Sequence, residues 1–264
     1  MTARPVITLL TDFGHLDPFV GVMKGVIAGI CPEANVVDLT HDVPAQDVFA
    51  GAFYLERAFR YFPDGTVHVA VVDPGVGTRR APLAMNAHGH TFVGPDNGLL
   101  SWVARRVRAV RLNNRAFFRA EISHTFHGRD VFASVAAHLA RGVPLESLGP
   151  TQKRIVSLAR PKPRKTRYGF SAEVLAVDRF GNLITNLEPA HWNALGRPRL
   201  TVGSFSTERL SHSYGAARPR EIVAVFGGYG LLEIAARDAS AAALLGLERG
   251  TRVGLDERLS RRRP

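Results

Sequence analysis

The chain has 264 residues, 45% of them apolar and 22% charged, enough for one large domain or two modest ones around a sizeable core. Its only cysteine, Cys31, excludes an internal disulfide and a thiolate metal cluster and fits a reducing, cytoplasmic compartment; no apolar run approaches a membrane span. The net charge of +11 rests on 30 Arg and 4 Lys, which reads as compositional bias with solvated basic faces, and no zinc finger, RNP motif or interleaved aromatic platform points to nucleic acid.

Residues 6–10 form a β-branched apolar run that predicts a strand, ending in Thr11-Asp12-Phe13-Gly14. Phe19, Val22, Met23, Val26 and Ile27 then recur at helical spacing, with Asp17 as N-cap and Pro18 at the first helical position. Residues 36–39 read as a second strand. Val48, Ala52, Leu55, Phe59 and Phe62 make one face of a helix that stops at Pro63-Asp64-Gly65. Residues 67–72 are a third strand, broken by Asp73-Pro74-Gly75-Val76-Gly77-Thr78-Arg79-Arg80. Residues 83–87 and 91–93 flank His88-Gly89 as a hairpin, Asp96 is placed to cap a short helix through Trp102, and 131–139 is amphipathic. Strands alternating with helices predict an α/β N-terminal domain, residues 1–148, with a largely parallel central sheet.

Residues 149–167 hold three prolines and seven basic side chains without an acid, the composition of a linker. Beyond it, residues 168–264 break into short strands at 171–177, 183–187, 199–202, 222–226, 231–235 and 252–255, separated by Gly, Pro, Ser and Asn. They predict a small C-terminal all-β barrel domain. The other basic runs, Arg105, Arg106, Arg108, Arg111, Arg115 and Arg119, and Arg261 to Arg263, read as solvated surface or partner contacts.

Four loop segments concentrate polar groups, and each has a plain structural reading. Asp12 can cap a turn, Asp17 a helix, and Asp73-Pro74-Gly75 is a common turn. His127 before Gly128 can be an exposed loop residue, and Asp130 can open the helix that follows. The segment from Asp178 through Arg179, Phe180 and Gly181 to Asn182 can be a β-turn. The functional reading starts from strand ends: ligands of open α/β sheets collect outside the carboxyl ends of strands, where Asp12 and Asp73 stand. His15, His41, His68, His88 and His90 lack the spacing of metal ligands, and no Walker A, Gly-x-Ser-x-Gly or Rossmann fingerprint is present.

Taken together and in this order, these segments and Gly94-Pro95-Asp96-Asn97-Gly98 resemble the S-adenosyl-L-methionine hydroxide adenosyltransferases, relatives of the bacterial fluorinating and chlorinating enzymes. The likeness spans about residues 6–255. It implies an α/β domain followed by a β-barrel, and a homotrimer with active sites between the N-terminal domain of one subunit and the C-terminal domain of its neighbour. It implies a catalytic Asp73, Arg80 and His127 set in this chain, and Asp12 on the ribose hydroxyls with Asp17 and Phe126 nearby. It further implies Asn182 reading adenine beside Phe180, Asp178 near the methionine ammonium, and Glu233 and Ala236 on the adenine side. One departure stands out: Gly227-Gly228 replace an Asn-Ser pair that many members carry, leaving the backbone amides of Gly228 and Tyr229 to substitute.

The implied reaction suits these residues. The sulfonium leaves as a neutral thioether, so the requirement is an oxygen in line with the C–S bond, with no metal or cofactor and a small molecule as the only partner. Asp73 and His127 can orient a water and accept its proton while Arg80 fixes the carboxylate. Asp12, Asp17, Asp73 and Asp178 would suit a substrate of net charge about +1. The resemblance leaves three competitors: a halide-dependent 5′-halogenase, a non-catalytic adenosine or S-adenosylmethionine sensor, and a nucleic-acid binder using the arginines. Halide is disfavoured because a carboxylate at Asp73 repels it in a low-dielectric pocket.

Overall fold

The computed structural model describes residues 4–104 and 107–257; Arg105 and Arg106 of the first basic run, and Arg261, Arg262 and Arg263 of the last, lie outside the described residues. The chain divides into two compact units, with the boundary between Ala159 and Arg160.

In the first unit, β1 (Val6–Thr11), β2 (Asn35–Thr40), β3 (Val67–Val71), β4 (Pro82–Ala87), β5 (His90–Pro95) and β6 (Arg108–Arg111) form one sheet in the order β2-β1-β3-β5-β4-β6. Pairing is parallel across β2-β1-β3-β5 and antiparallel at β5-β4 and β4-β6. The sheet is therefore mixed, parallel across four strands and antiparallel along its β5-β4-β6 edge. The switch occurs at the hairpin, where His88 (φ 53°) and Gly89 (φ 81°) both turn left-handed, as a two-residue hairpin loop demands.

The helices α1 (Phe19–Ile30), α2 (Val48–Ala58) and α3 (Ser134–Ala140) cover both faces of the sheet. Met23 and Ile27 of α1 and Val135 of α3 pack with Ile7, Leu9, Val69 and Val71; Ala52 and Leu55 of α2 pack with Leu10, Ala70 and Val72. Burial on both faces explains why β1 and β3 read as unbroken apolar runs. Thr11 is in register with Val71, so Asp12 and Asp73 leave neighbouring parallel strands at the same end.

Two expected caps are not made. The Pro18 carbonyl takes the Val22 N–H at 2.9 Å, so α1 begins one residue later than the Asp17 cap requires, and Asp17 is exposed. Asp96 caps no helix; residues 96–103 are turns, and its carboxylate accepts the Val156 N–H at 2.7 Å. That bond also shows how the basic, proline-containing stretch begins: Thr151 bridges to Val110 and Leu158 N donates to Ser101 Oγ at 3.0 Å, fastening residues up to 158 along the first unit.

The second unit holds β7 (Arg164–Lys165), β8 (Gly169–Val177), β9 (Leu183–Thr185), β10 (Pro198–Val202), β11 (Phe205–Thr207), β12 (Leu210–Ser211), β13 (Ile222–Phe226), β14 (Leu232–Ala236) and β15 (Arg252–Glu257). They follow the path β11-β10-β15-β8-β9-β14-β13-β12, with β7 on β8; every pairing is antiparallel except β12 with β13. Two short helices, α4 (Pro189–Asn193) and α5 (Ala241–Leu245), accompany the strands. No helix among the described residues is long and apolar enough to cross a membrane.

Candidate active site

Asp73 follows β3 at the point where Asn97 Nδ2 ties back to the Val72 carbonyl at 2.8 Å. The chain then turns through 74–78, and Arg80 folds back on Asp73. Its Nε donates to Oδ1 at 3.0 Å and Oδ2 at 2.9 Å, and Nη2 makes a further short contact to Oδ2. The same Nη2 lies 2.8 Å from His127 Nδ1, and the guanidinium sits 5.4 Å above the Phe132 ring. Asp73 and Arg80 side chains are only 5% and 9% exposed, so this pair is screened little by solvent. Burial, then the charge of Arg80, holds His127 below the usual histidine range against the opposing pull of Asp73. The three residues that the family resemblance implies as a catalytic set are thus hydrogen-bonded together.

The frame that presents His127 is a π-helical turn, Gly128–Ala133, leading into α3. Asp130 within it opens no helix by capping. It is fully buried and accepts Arg129 Nε at 2.5 Å, Arg129 Nη2 at 2.9 Å and the Ser123 N–H at 2.8 Å, fastening the loop before His127. Burial opposes its ionisation, but these donors hold the Asp130 carboxyl below its ordinary range. Gly77, at φ +76°, closes the other side: a Cβ there would lie 2.5 Å from the His124 carbonyl oxygen. Phe126 packs edge-on against Phe13 and Phe19, ring centroids 5.9 and 5.2 Å away, with Arg129 5.1 Å over its ring. Asp12, at the end of β1, is half-buried and accepts the Gln46 N–H at 2.8 Å.

In the second unit, Asp178 Oδ1 accepts the N–H groups of Phe180 (2.9 Å) and Asn182 (2.8 Å), while Oδ2 accepts Asn182 Nδ2 at 2.8 Å. Asp178 therefore builds the turn that the plain structural reading of the segment expects. The turn leaves Phe180 77% exposed and Asn182 buried. Glu233, on β14, is 3% exposed, and Tyr214 donates its hydroxyl to Glu233 Oε2 at 2.5 Å. Burial and the nearby charge of Asp178 push the Glu233 carboxyl up, against the Tyr214 hydrogen bond; burial and Glu233 push the Tyr214 phenol up. A Cβ at Gly227 would sit 1.7 Å from Glu233 Oε1, whereas Gly228 faces open space. Glu233 thus occupies the room a side chain at 227 would need, and nothing in the structure explains the glycine at 228. Gly228 and Tyr229 lie in the turn joining β13 to β14, and Ala236 ends β14. Tyr214 opens a single 3-10 turn, Tyr214–Ala216, that no sequence pattern marks, and only the fold brings it to Glu233.

An α/β unit with an Asp-Arg-His set at its strand ends, followed by a β unit with an acid-braced Asn turn, defines a two-part enzyme architecture. Residues 7–149 match the SAM hydroxide adenosyltransferase N-terminal domain and residues 172–254 its C-terminal domain, and the chain belongs to this family (SAM is S-adenosyl-L-methionine). It is 42% identical over 259 residues to the (R)-S-adenosyl-L-methionine hydrolase of Salinispora tropica, covering 96% of this chain and 98% of that one. The protein of the same name from Thermus thermophilus is 42% identical over 267 residues, covering 96% and 99%. A fluorinase of an Actinoplanes species is 32% identical over 214 residues, covering 70% and 72%. The crystal structure of an uncharacterized conserved protein from Thermotoga maritima superposes with a TM-score of 0.89 at 35% identity, covering 95% and 100%.

Proposed function

We propose that this chain hydrolyses S-adenosyl-L-methionine to adenosine and L-methionine. The observation that carries the reading is the hydrogen-bonded Asp73–Arg80–His127 set at the end of β3, beside Asp12 at the end of β1. The oxygen of a water attacks C5′ from the side opposite sulfur, the C5′–S bond breaks with its electron pair on sulfur, and methionine departs neutral at that atom. The attacking oxygen must lie roughly 3–3.5 Å from C5′ and in line.

Arg80 can only donate, so His127 Nδ1 accepts, and the neutral ring carries its proton on Nε2. His127 therefore positions the water oxygen by donation. The proton released as the C5′–O bond forms goes to the Asp73 carboxylate, whose Oδ1 takes fewer Arg80 contacts than Oδ2, and thence to solvent. No metal or cofactor enters this reaction. Asp12 holds the ribose hydroxyls, with Asp17 and Phe126 beside it; Asn182, Phe180, Glu233 and Ala236 hold adenine, and Asp178, Gly228 and Tyr229 the methionyl end. In the same reading, a cytoplasmic homotrimer joins the first unit of one copy to the second unit of another at each site, which light scattering of the purified protein would test.

A carboxylate at the attack position favours water over halide, since it repels a halide there. The greater identity to proteins named hydrolase than to the Actinoplanes fluorinase supports the same choice. The test is turnover in oxygen-18 water with chloride or fluoride present. Adenosine labelled at its 5′ oxygen is expected; a 5′-halogenated nucleoside, or unreacted substrate with folded protein, would overturn the reading.

A further inference from the structure

Thr11, the last residue of β1, and His41, just beyond β2, are both fully buried and lie outside the Asp73–Arg80–His127 set. Thr11 Oγ1 stands 2.8 Å from His41 Nδ1 and accepts the Phe13 N–H at 3.2 Å. On the far side of the ring, His41 Nε2 faces Asp38 Oδ1 at 3.1 Å, off the axis of a good hydrogen bond, and Lys24 Nζ meets Asp38 Oδ2 at 2.6 Å.

The direction of this chain follows from the groups in it. A carboxylate only accepts, so the neutral His41 ring carries its proton on Nε2, toward Asp38. Nδ1 is then an acceptor, and the Thr11 hydroxyl donates to it while receiving the Phe13 N–H. The His41 carbonyl accepts the Gly14 N–H at 2.8 Å, so a single residue ties the loop after β1 to the loop after β2. Asp12 stands inside that junction. Its carboxylate is aimed by the N–H of Gln46, a residue held at φ 64°, where a side chain is disfavoured and the surroundings must hold the backbone in place.

We propose that Thr11 and His41, with Asp38 and Lys24 behind them, form a positioning chain that sets the Asp12 carboxylate for the two hydroxyls of a ribose. The proposal rests on the reading of Asp12 given under Proposed function. None of the four residues touches the reacting atoms; they act through the geometry of Asp12.

The test compares Thr11→Val, which keeps shape and loses the hydroxyl, with Thr11→Ser, which keeps the hydroxyl, and with Asp38→Asn at the partly exposed end. KM and kcat are measured for S-adenosylmethionine and for its 2′-deoxyribose analogue. Thr11→Val is expected to raise KM for the ribose substrate about tenfold while leaving KM for the deoxy analogue within about twofold and kcat within about threefold. Thr11→Ser should match wild type, and Asp38→Asn should show the same selective loss to a smaller degree, because its contact is the bent one.

Equal KM increases for both substrates, or unchanged selectivity, would overturn the proposal. If Thr11→Val does not fold, Asp38→Asn decides by the same criterion. If wild type binds nucleoside without turnover, the hydrolase reading fails by itself, and calorimetric affinities for adenosine against 2′-deoxyadenosine carry the comparison. Wild type with no preference for the ribose form would overturn the positioning chain outright.

Discussion

Arg80 Nη2 lies 2.8 Å from His127 Nδ1, and because a guanidinium has no acceptor, that ring nitrogen presents a lone pair. Protonating it would break the contact and set two cations face to face. Burial first, and Arg80 second, keep His127 below its ordinary range. Activity is therefore expected to hold as pH falls through about 6.5, the usual histidine value, and to decline only below it. Replacing Arg80 by Met removes one cause of the depression, so the acid limb should move upward on a lower plateau. Profiles of kcat from pH 8 to 4.5 for the two proteins decide this; a wild-type limb at or above 6.5 contradicts it.

Arg80→Lys tests the same joint by geometry. Lysine keeps the charge but supplies one compact donor head, which cannot span Asp73 and His127 as a planar guanidinium does. A fall in kcat of about 100-fold is expected. Adenosine affinity should change little, since the hydrogen bonds of Arg80 run to Asp73 and His127, the residues assigned to the attack. Calorimetry with adenosine alongside steady-state kinetics separates the two effects, and a large loss of nucleoside binding would show that Arg80 serves the ligand rather than the attack.

Much of this arrangement was legible from local pattern. The doubly buried strands appear as apolar runs, and the acids that end them, Asp12 and Asp73, mark the carboxyl edge of the sheet. His88-Gly89 announces its hairpin. The family motif joined Asp73, Arg80 and His127 across the sequence, and they meet in the fold. What stayed hidden depends on register or on competition. Thr11 meets His41 only because β1 and β2 pair side by side. Asp17 and Asp96 have good capping chemistry, yet Pro18 starts its helix later and Val156 claims Asp96. Tyr214 reaches Glu233 through tertiary folding alone.

Gly77 couples the two halves of the attack group. At φ +76° it avoids a left-handed cost of about 1–2 kcal/mol that alanine would incur, and its missing Cβ leaves room for the His124 carbonyl. Gly77→Ala should push the 73–80 turn away from the loop carrying His127 and lower kcat roughly tenfold or more, as small misplacements of catalytic groups do. Gly75→Ala is the control. Its Cβ would meet Arg80 Cγ at 3.4 Å, and its φ is outside the left-handed region, so near-normal activity is expected. Equal losses in the two variants would point to general loosening of the turn.

At the opposite end of the sheet, His68 is fully buried, with Nδ1 2.7 Å from Thr8 Oγ1 and Nε2 3.3 Å from His90 Nδ1. Its ring stacks on Phe92 at 22°, and Phe59 and Phe62 approach edge-on. Burial, then the charge of His90, pulls its pKa down to about 3. His90 is lowered too, mainly by burial; Asp64, 4.0 Å from its Nε2, opposes this and His88 adds to it. The unfolded chain takes up a proton near pH 6.5 that folded His68 refuses until about pH 3. Stability should therefore fall as pH drops below 6.5, by about 1.4 kcal/mol per pH unit for His68, or about 2 kcal/mol by pH 5. His68→Gln removes the titration while keeping a hydrogen-bonding side chain. Its stability at pH 7.5 should be lower, but its decline toward pH 5 should be shallower by one proton. Urea unfolding of both proteins at pH 7.5, 6 and 5 measures the slopes, and parallel slopes would assign the acid sensitivity to groups other than this histidine.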